Sequence, residues 1–386
     1  MRKTFVILFI LFFAPYCFSQ PFTVAENLFD QSNADTLGLS YPNGIETFTV
    51  FSPEEDGDHF CNGAVLIAFK GKLYCQWQSS KKDEDAPDTK VMYAVSDDDG
   101  KTWTKPAVLA KSLKHGYRSS GGWWTAGDEL VAYINEWPDD ISPRGGFTSC
   151  MTSKDGKKWS RLKPVKMADG SSMDGIFEQD PHVLRDGKGN RIIGAAHFQK
   201  GLFVCPIYTD DLSGTGGWKK SAFSSTSTGS TSAEMEPSWF ANGDGNPIMI
   251  FRDQNSSFVK LASISLDRGE TWSNAVATSM PDARTKQSAG NLPDGTAFLV
   301  GNPVDNKLRS PLAITLSKDG KTFDRAFLLR AGRELPEIVY EGKAKRKGYH
   351  YPKSIVTERY FYTAYATGKE LVQITRIPLQ EGTIRQ

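Results

Sequence analysis

A short turn sequence recurs along the chain and limits its fold more than any other feature. It has the form Ser-x-Asp-x-Gly-x-Thr-Trp at residues 96–103 and 265–272, and it is one residue shorter at residues 153–159 and 317–323. A weaker copy at residues 213–218 completes a series whose glycines lie 51 to 61 residues apart. Aspartate hydrogen-bonds to the backbone that follows it and glycine adopts a positive φ, so each copy predicts a tight turn between two strands.

The spacing of these turns predicts a repeated unit of four short strands. Each copy follows a β-like segment, and another strand pair precedes that segment. Four strands in about 50 to 60 residues match the size of a β-propeller blade. Blade starts fall near six positions: 62, 119, 179, 236, 287 and 351. We therefore predict an all-β fold, a six-bladed β-propeller, in which residues 46–51 supply the missing fourth strand of the last blade. A seventh blade from residues 20–60 is the alternative.

The amino terminus has the pattern of a signal peptide. Arg2 and Lys3 precede an apolar run at residues 5–13, and small residues lie just before Gln20. The run is shorter than the roughly 20 residues that a membrane-spanning helix needs. We therefore expect residues 1–19 to be removed and residues 20–386 to form a single exported domain (periplasmic, secreted or cell-surface). An uncleaved anchor and lipidation of Cys17 are the alternatives.

The charge balance of the chain limits the classes of ligand that it can bind. The chain has 46 Lys and Arg against 45 Asp and Glu, which leaves no excess of positive charge for nucleic acid. An anionic sugar held by a few local arginines stays possible. We expect no cofactor, no metal and a monomer. Four cysteines follow the predicted signal peptide, and both disulfides and free thiols are open: Cys61, Cys75, Cys150 and Cys205.

Polar residues at the blade starts are the candidate site, because the first strands of all blades meet at one mouth of the central channel. His182, His197 and Glu236 are titratable groups near that mouth, although each could equally be a structural residue. Arg252 and Arg309 end strands there, and a guanidinium can bind a carboxylate or sulfate with two hydrogen bonds. A pair with a neighbouring acid is the alternative for each arginine. We interpret the acidic run at residues 83–85 as a solvated loop.

The repeated turns resemble those of the Asp-box (BNR) repeat proteins, of which sialidases are the best-known members. The resemblance covers about residues 60–380 and implies a propeller whose boxes lie on the periphery, away from any chemistry. Sialidases hold the substrate carboxylate with three arginines and attack with a tyrosine that opens the last blade. Arg252 and Arg309 are similar to the second and third arginines, and Tyr351 is similar to the tyrosine. The chain has no Arg-Ile-Pro segment near its amino terminus for the first arginine, and no obvious glutamate follows Tyr351 to activate it.

A second resemblance concerns the first blade. Residues 60–103 look like the first blade of propeller enzymes that act on uronate-containing polysaccharides, namely ulvan-type lyases, oligosaccharide dehydratases and a rhamnosidase-like branch. Those enzymes rely on His, Tyr and Arg, which implies β-elimination on an anionic oligo- or polysaccharide. The catalytic candidates are then a base, an acid and a cation that stabilises the developing charge: His182 or His197, Tyr351, and Arg252. Where those relatives tend to carry histidine, this chain has Asn62.

Two other functions stay open. An exo-glycosidase would need two carboxylates, with Glu236 and either Asp180 or Glu234 as candidates. A non-catalytic carbohydrate-binding propeller would need only aromatic rings, for which Trp123, Trp124 and Trp239 are the candidates. The substrate-binding candidates taken together are Arg309, Glu236, Asn62, Trp123, Trp239 and Lys286.

Overall fold

A computed structural model of the chain describes residues 20–380 and 382–384. The predicted signal peptide, residues 1–19, lies outside the described residues. Within them the chain is all-β, with one short 3-10 helix at Gly332–Glu334. Six sheets, each an antiparallel meander, form a six-bladed propeller, and this confirms the predicted fold class.

The strands are numbered in chain order. The first two are β1 (Thr23–Val24) and β2 (Glu46–Phe51). Blade 1 contains β3 (Phe60–Phe69), β4 (Lys72–Ser80), β5 (Lys90–Ser96) and β6 (Ala107–Ala110). Blade 2 contains β7 (Gly116–Ala126), β8 (Glu129–Pro138), β9 (Phe147–Ser153) and β10 (Lys163–Pro164). Blade 3 contains β11 (Gly175–Phe177), β12 (His182–Arg185), β13 (Asn190–Phe198), β14 (Phe203–Thr209) and β15 (Lys219–Lys220), and its first strand is split into β11 and β12, which both pair with β13.

Blade 4 contains β16 (Glu234–Ala241), β17 (Pro247–Asp253), β18 (Val259–Ile264) and β19 (Val276–Pro281). Blade 5 contains β20 (Ser288–Asn291), β21 (Ala297–Gly301) and β22 (Leu312–Ser317), then β24 (Arg325–Arg330), with β23 (Thr322–Phe323) pairing with β1 instead. Blade 6 contains β25 (Tyr349–Val356), β26 (Tyr360–Thr367) and β27 (Leu371–Pro378).

The ring is closed by the amino-terminal strand. β2 pairs antiparallel with β27 and becomes the fourth strand of blade 6. Glu46 lies opposite Arg376, and their side chains form an ion pair. This confirms the predicted closure, and the alternative of a seventh blade from residues 20–60 is wrong.

Hydrophobic clusters fill the space between every pair of neighbouring blades. Trp77 and Tyr362 are fully buried between blades 1 and 6, and Trp218 is fully buried between blades 2 and 3. Similar clusters lie at the other four junctions. Because each sheet buries both faces, its strands read as long apolar runs with little alternation. The six layers fix the first strands around a common centre.

The repeated turns connect the third and fourth strands of their blades, as predicted. In the first copy Asp98 accepts hydrogen bonds from the backbone N–H and hydroxyl of Thr102, at 2.9 and 2.7 Å. The Gly100 N–H donates to the Ser96 hydroxyl at 2.9 Å, and Trp103 Nε1 donates back to the Gly100 carbonyl. These bonds lie at the outer edge of the ring, so the turns build the blade and leave the centre to other residues.

Two further findings bear on the sequence analysis. The four cysteines at positions 61, 75, 150 and 205 are free thiols. A search of the described helices finds none with the length and apolar character needed to cross a membrane.

Candidate active site

Three polar residues at the centre of the ring have a left-handed backbone conformation. Gln179, Glu236 and Tyr351 have φ values of 68°, 51° and 55°. Glu236 and Tyr351 occupy matching β-bulges near the starts of β16 and β25. A bulge redirects a side chain, and a positive φ costs a non-glycine residue on the order of 1–3 kcal/mol. The fold holds these residues in this conformation against that cost, which makes the position a candidate for a functional site.

Tyr351 is the centre of the candidate site. Its side chain interacts electrostatically with Arg252, whose Nη1 forms an ion pair of 2.8 Å with Glu236 Oε2. Burial, followed by the Glu236 carboxylate, raises the pKa of Tyr351, and the guanidinium groups of Arg309 and Arg252 oppose that shift only in part. Burial alone would also raise the pKa of Glu236, but Arg252 and Lys286 hold it below its usual range. The resting site therefore contains a neutral phenol beside an ionised carboxylate.

Two arginines beside Tyr351 have no acidic partner among the residues that the structure describes. Arg309 is 4% exposed, and its only polar side-chain contact is Nη1 to His350 Nδ1 at 3.0 Å. Its Cζ lies 5.3 Å from the centroid of the Tyr351 ring. Arg346 is more exposed, and burial followed by the charge of Arg309 lowers its pKa. Since Arg252 forms its ion pair with Glu236, these two guanidinium groups leave positive charge at the site that only the more distant carboxylates of Glu236 and Glu84 offset.

A buried network lies directly beneath Tyr351. His197 Nδ1 is 2.7 Å from Glu178 Oε1, and its Nε2 accepts a hydrogen bond of 3.4 Å from the backbone N–H of Glu236. Lys286 Nζ lies 2.8 Å from the second oxygen of Glu178 and donates to Gln179 at 2.7 Å. Both nitrogens of His197 are engaged, and the residue is 2% exposed. Neither nitrogen is open to a sugar, so the network supports the floor of the site.

His182 belongs to a different group of side chains, which fills the channel. Its Nε2 lies 3.1 Å from Asp180 Oδ1, and its ring packs edge-on to Trp239. Asp180 also binds Lys353 Nζ at 2.8 Å and accepts a hydrogen bond from the Ser238 hydroxyl. These contacts join blades 3, 4 and 6. Among the described contacts, none links His182 to Tyr351, so the structure does not bring these two candidates together.

Two of the three tryptophans expected to stack on a sugar lie in the core, and the third, Trp124, is partly buried at the edge of a cluster. Trp123 and Trp239 are each 3% exposed, and their ring nitrogens donate to the carbonyls of Val65 and Ile193. Neither ring face is available to a ligand, because packing between blades covers both. Asn62 is also buried, and it donates to Glu84 at 3.1 Å.

The acidic run at residues 83–85 is a set of contacts rather than a solvated loop. Both oxygens of Glu84 accept from Lys369 Nζ at 2.7 Å. Asp85 pairs with Arg144 at 2.9 Å, and that guanidinium covers the ring of Trp137 at 4.4 Å. The expectation failed because the acids find their partners on other blades. The Asp85 side chain is 35% exposed, against 21% for Glu84.

Sequence reasoning missed three features of the site. Glu236 faces Tyr351 from blade 4, although the expected activating glutamate was sought after the tyrosine. Arg346 comes from the basic run at residues 343–347, a signal that was visible but not used. His350 contacts Arg309, and no local pattern showed this. In the described part of the chain, no group of three or more His, Cys, Asp or Glu side chains could hold a metal ion.

Comparison with known proteins agrees with this architecture. A sialidase structure is similar with a TM-score of 0.67 and 18% identity, over 94% of this chain and 35% of that one. A protein of unknown function from Dyadobacter fermentans has a TM-score of 0.64 and 14% identity, over 88% of this chain and all of that one. The intramolecular trans-sialidase from Ruminococcus gnavus, in complex with oseltamivir carboxylate, has a TM-score of 0.63 and 14% identity, over 90% and 100%.

The remaining comparisons concern chain length and sequence. This chain spans about a third of the length of the first sialidase, and no curated protein matches its sequence. The BNR repeat-like domain, in contrast, matches residues 71–363 of the 386. That stretch contains all of blades 2 to 5, parts of blades 1 and 6, and all five turn copies. The chain belongs to the family of proteins with a BNR repeat-like domain.

Proposed function

We propose that this protein cleaves the glycosidic bond of a terminal sugar that carries a carboxylate, with Tyr351 as the nucleophile. The observation that carries the proposal is the Arg252–Glu236 ion pair, which acts electrostatically on Tyr351, together with the Arg309 guanidinium 5.3 Å from the Tyr351 ring and the neighbouring Arg346. The unpaired charges suit an anion, and the phenol beside a carboxylate suits nucleophilic attack.

The geometry suggests a role for each group. Arg309 and Arg346 bind the sugar carboxylate, and Glu236 accepts the phenol proton as the Tyr351 oxygen attacks the anomeric carbon. The bond from that carbon to the leaving oxygen breaks, and the leaving oxygen takes a proton from an acid at the rim, for which we propose Asp85. Water then attacks the same carbon, gives a proton to Asp85 and releases the tyrosine, which recovers its proton from Glu236.

A tyrosine is a reasonable nucleophile for such a sugar. A carboxylate nucleophile would be repelled by the carboxylate of the substrate at close range, whereas a neutral phenol is not. Sialidases with a tyrosine nucleophile are known exceptions among glycosidases, which mostly use two carboxylates. The similarity to a sialidase and to a trans-sialidase that binds oseltamivir carboxylate supports this choice at the level of fold.

Activity on aryl glycosides of sialic acid and of glucuronic acid tests the proposal. Tyr351→Phe should lower kcat by roughly 10³-fold or more, because the nucleophile is removed. Glu236→Gln should also lower kcat. The matched control is Tyr93→Phe, which should keep full activity, because Tyr93 lies in β5 of blade 1 and packs on Trp159. Undiminished turnover by Tyr351→Phe would exclude the tyrosine as nucleophile.

β-Elimination on a uronate is the second candidate. The unpaired Arg309 and Arg346 would stabilise the charge that develops beside a uronate carboxylate, and the first blade resembles that of such enzymes. His197 has no free nitrogen, so His182 or Tyr351 itself would have to remove the C5 proton. New absorbance at about 235 nm would identify elimination, because only that reaction makes a conjugated uronate. New reducing ends without absorbance indicate hydrolysis, and binding without either product indicates a carbohydrate-binding propeller.

A further inference from the structure

His350 lies fully buried between the two arginines that have no acidic partner. Its Nδ1 is 3.0 Å from Nη1 of Arg309, and its Nε2 is 3.0 Å from the backbone carbonyl oxygen of Arg346. The residue follows the buried Tyr349 and precedes Tyr351 in β25, so its backbone is fixed by the same bulge that places the tyrosine. One imidazole therefore contacts the guanidinium of Arg309 and the backbone of Arg346.

The two partners determine the tautomer of the ring. A carbonyl oxygen can only accept, so Nε2 carries the proton and donates it to Arg346. A guanidinium can only donate, so Nδ1 is the unprotonated nitrogen that accepts from Arg309. A doubly protonated ring would lose the bond to Arg309 and place a third positive charge beside two others.

The surroundings keep the ring neutral. The charged groups that face it are Arg309, Lys369 and Arg346, and all three are cations. Burial, followed by the charge of Arg309 and then that of Lys369, lowers the pKa of His350 well below its usual 6.5. The hydrogen bonds of the neutral form therefore persist through the mildly acidic range.

A neutral acceptor has an effect on Arg309 that a carboxylate would not have. It fixes the orientation of the guanidinium by a hydrogen bond but leaves its charge uncancelled. The Arg309 Nε has no partner, and the Arg346 side chain forms no ion pair among the described residues, so both cations keep their attraction for a ligand. We propose that His350 is the positioning residue of the anion site, holding Arg309 directly and Arg346 through its backbone while leaving both charges free. This inference rests on the proposed function and names the group that makes its anion site.

An isosteric pair of variants tests the proposal. His350→Asn offers Arg309 a neutral acceptor near the position of Nδ1, and His350→Asp offers the same shape with a negative charge. The probes are N-acetylneuraminic acid and glucuronic acid, with galactose as the neutral control, measured by titration calorimetry on the full chain. We expect His350→Asn to bind the acid within about threefold of wild type and His350→Asp to bind it at least about tenfold more weakly, because the aspartate neutralises Arg309.

Equal affinities for the two variants would overturn the inference. His350→Gln adds a second comparison, since its amide can donate to the Arg346 carbonyl but reaches Arg309 poorly. It should weaken binding through Arg309 alone and leave the loop of Arg346 in place.

A measurement without a sugar separates this inference from the proposed function. ¹⁵N NMR of the imidazole should show a neutral ring protonated at Nε2, and the Nδ1 resonance should shift in Arg309→Met. If the wild type binds neither acid, the proposed function fails, and the NMR result still decides whether His350 holds Arg309. A ring protonated at Nδ1, or a resonance unchanged in Arg309→Met, would overturn the inference on its own.

Discussion

Two arginines in the same site should respond differently to the same substitution. Arg252 forms an ion pair with Glu236, whereas Arg309 has only the neutral His350 and the face of the Tyr351 ring as partners. Replacing Arg252 by methionine leaves a buried carboxylate without its cation. Replacing Arg309 removes a buried charge that forms no ion pair among the described residues and that Glu236 offsets only at longer range. The change in the free energy of unfolding in each variant therefore shows whether that arginine has a partner charge in the ligand-free protein.

The expected magnitudes follow from these contacts. Breaking a buried ion pair on one side costs about 3–5 kcal/mol, so Arg252→Met should be strongly destabilising. In Arg309→Met, the cost of burying an unpaired cation is removed, which raises the free energy of unfolding by several kcal/mol. This gain is offset by about 1–3 kcal/mol because the His350 acceptor loses its donor, and by about 1 kcal/mol for the lost contact with the Tyr351 ring. The net change should lie within about 1 kcal/mol of zero.

Differential scanning calorimetry measures the contrast. For a domain of about 360 residues, 1 kcal/mol shifts Tm by roughly 1.3 °C. We expect Arg252→Met to lower Tm by about 4–7 °C and Arg309→Met to change it by about 1 °C or less. Glu236→Gln in the Arg252→Met background should recover part of the loss, because it removes the uncompensated carboxylate. An equal loss of Tm in both single variants would refute the argument, since Arg309 would then be compensated in the free protein.

Two further predictions concern the channel and the turns. Lys353 and His182 lower the pKa of Asp180 against the opposing effect of burial. The native carboxylate binds protons less readily than the unfolded chain, so its contribution to stability is complete above about pH 5 and is lost as pH falls below about 4. Asp180→Asn should flatten the decline of the free energy of unfolding in urea between about pH 5 and 3, and an unchanged slope would contradict this. Asp98→Ala should lower the free energy of unfolding by about 1–2 kcal/mol, because it removes the turn hydrogen bonds. The control is Asp97→Ala, whose side chain is 72% exposed, and it should cost less than about 0.5 kcal/mol. Equal losses in the two variants would contradict a specific role of Asp98 in the turn.

The fold could be predicted from sequence because its signal is local and repeated. Each turn copy contains its own hydrogen-bonding partners within eight residues, so one reading of the pattern gives the strand order of a blade. The closing strand was predicted for a similar reason, since a blade without its fourth strand implies a donor elsewhere.

The site was harder to predict because its contacts join different blades. The sequence placed Arg252, Arg309 and Tyr351 near one mouth, but it could not show that Glu236 faces the tyrosine across two blades. His197 has the pattern of a catalytic residue, and only the contacts of both its nitrogens show that it is enclosed. Bulges decide which side chains reach the channel, and a shift of one residue reverses the direction of a side chain.

Closure by β2 also determines when folding can finish. Glu46 and Arg376 are 330 positions apart, yet they must meet for the last sheet to form. The other blades are made from contiguous segments and can each form from their own residues, whereas this one has to wait until residues 46–51 meet residues 371–378. Until then the ring is open and the apolar faces of its two end blades are exposed to water, so the protein is most prone to aggregation at that stage.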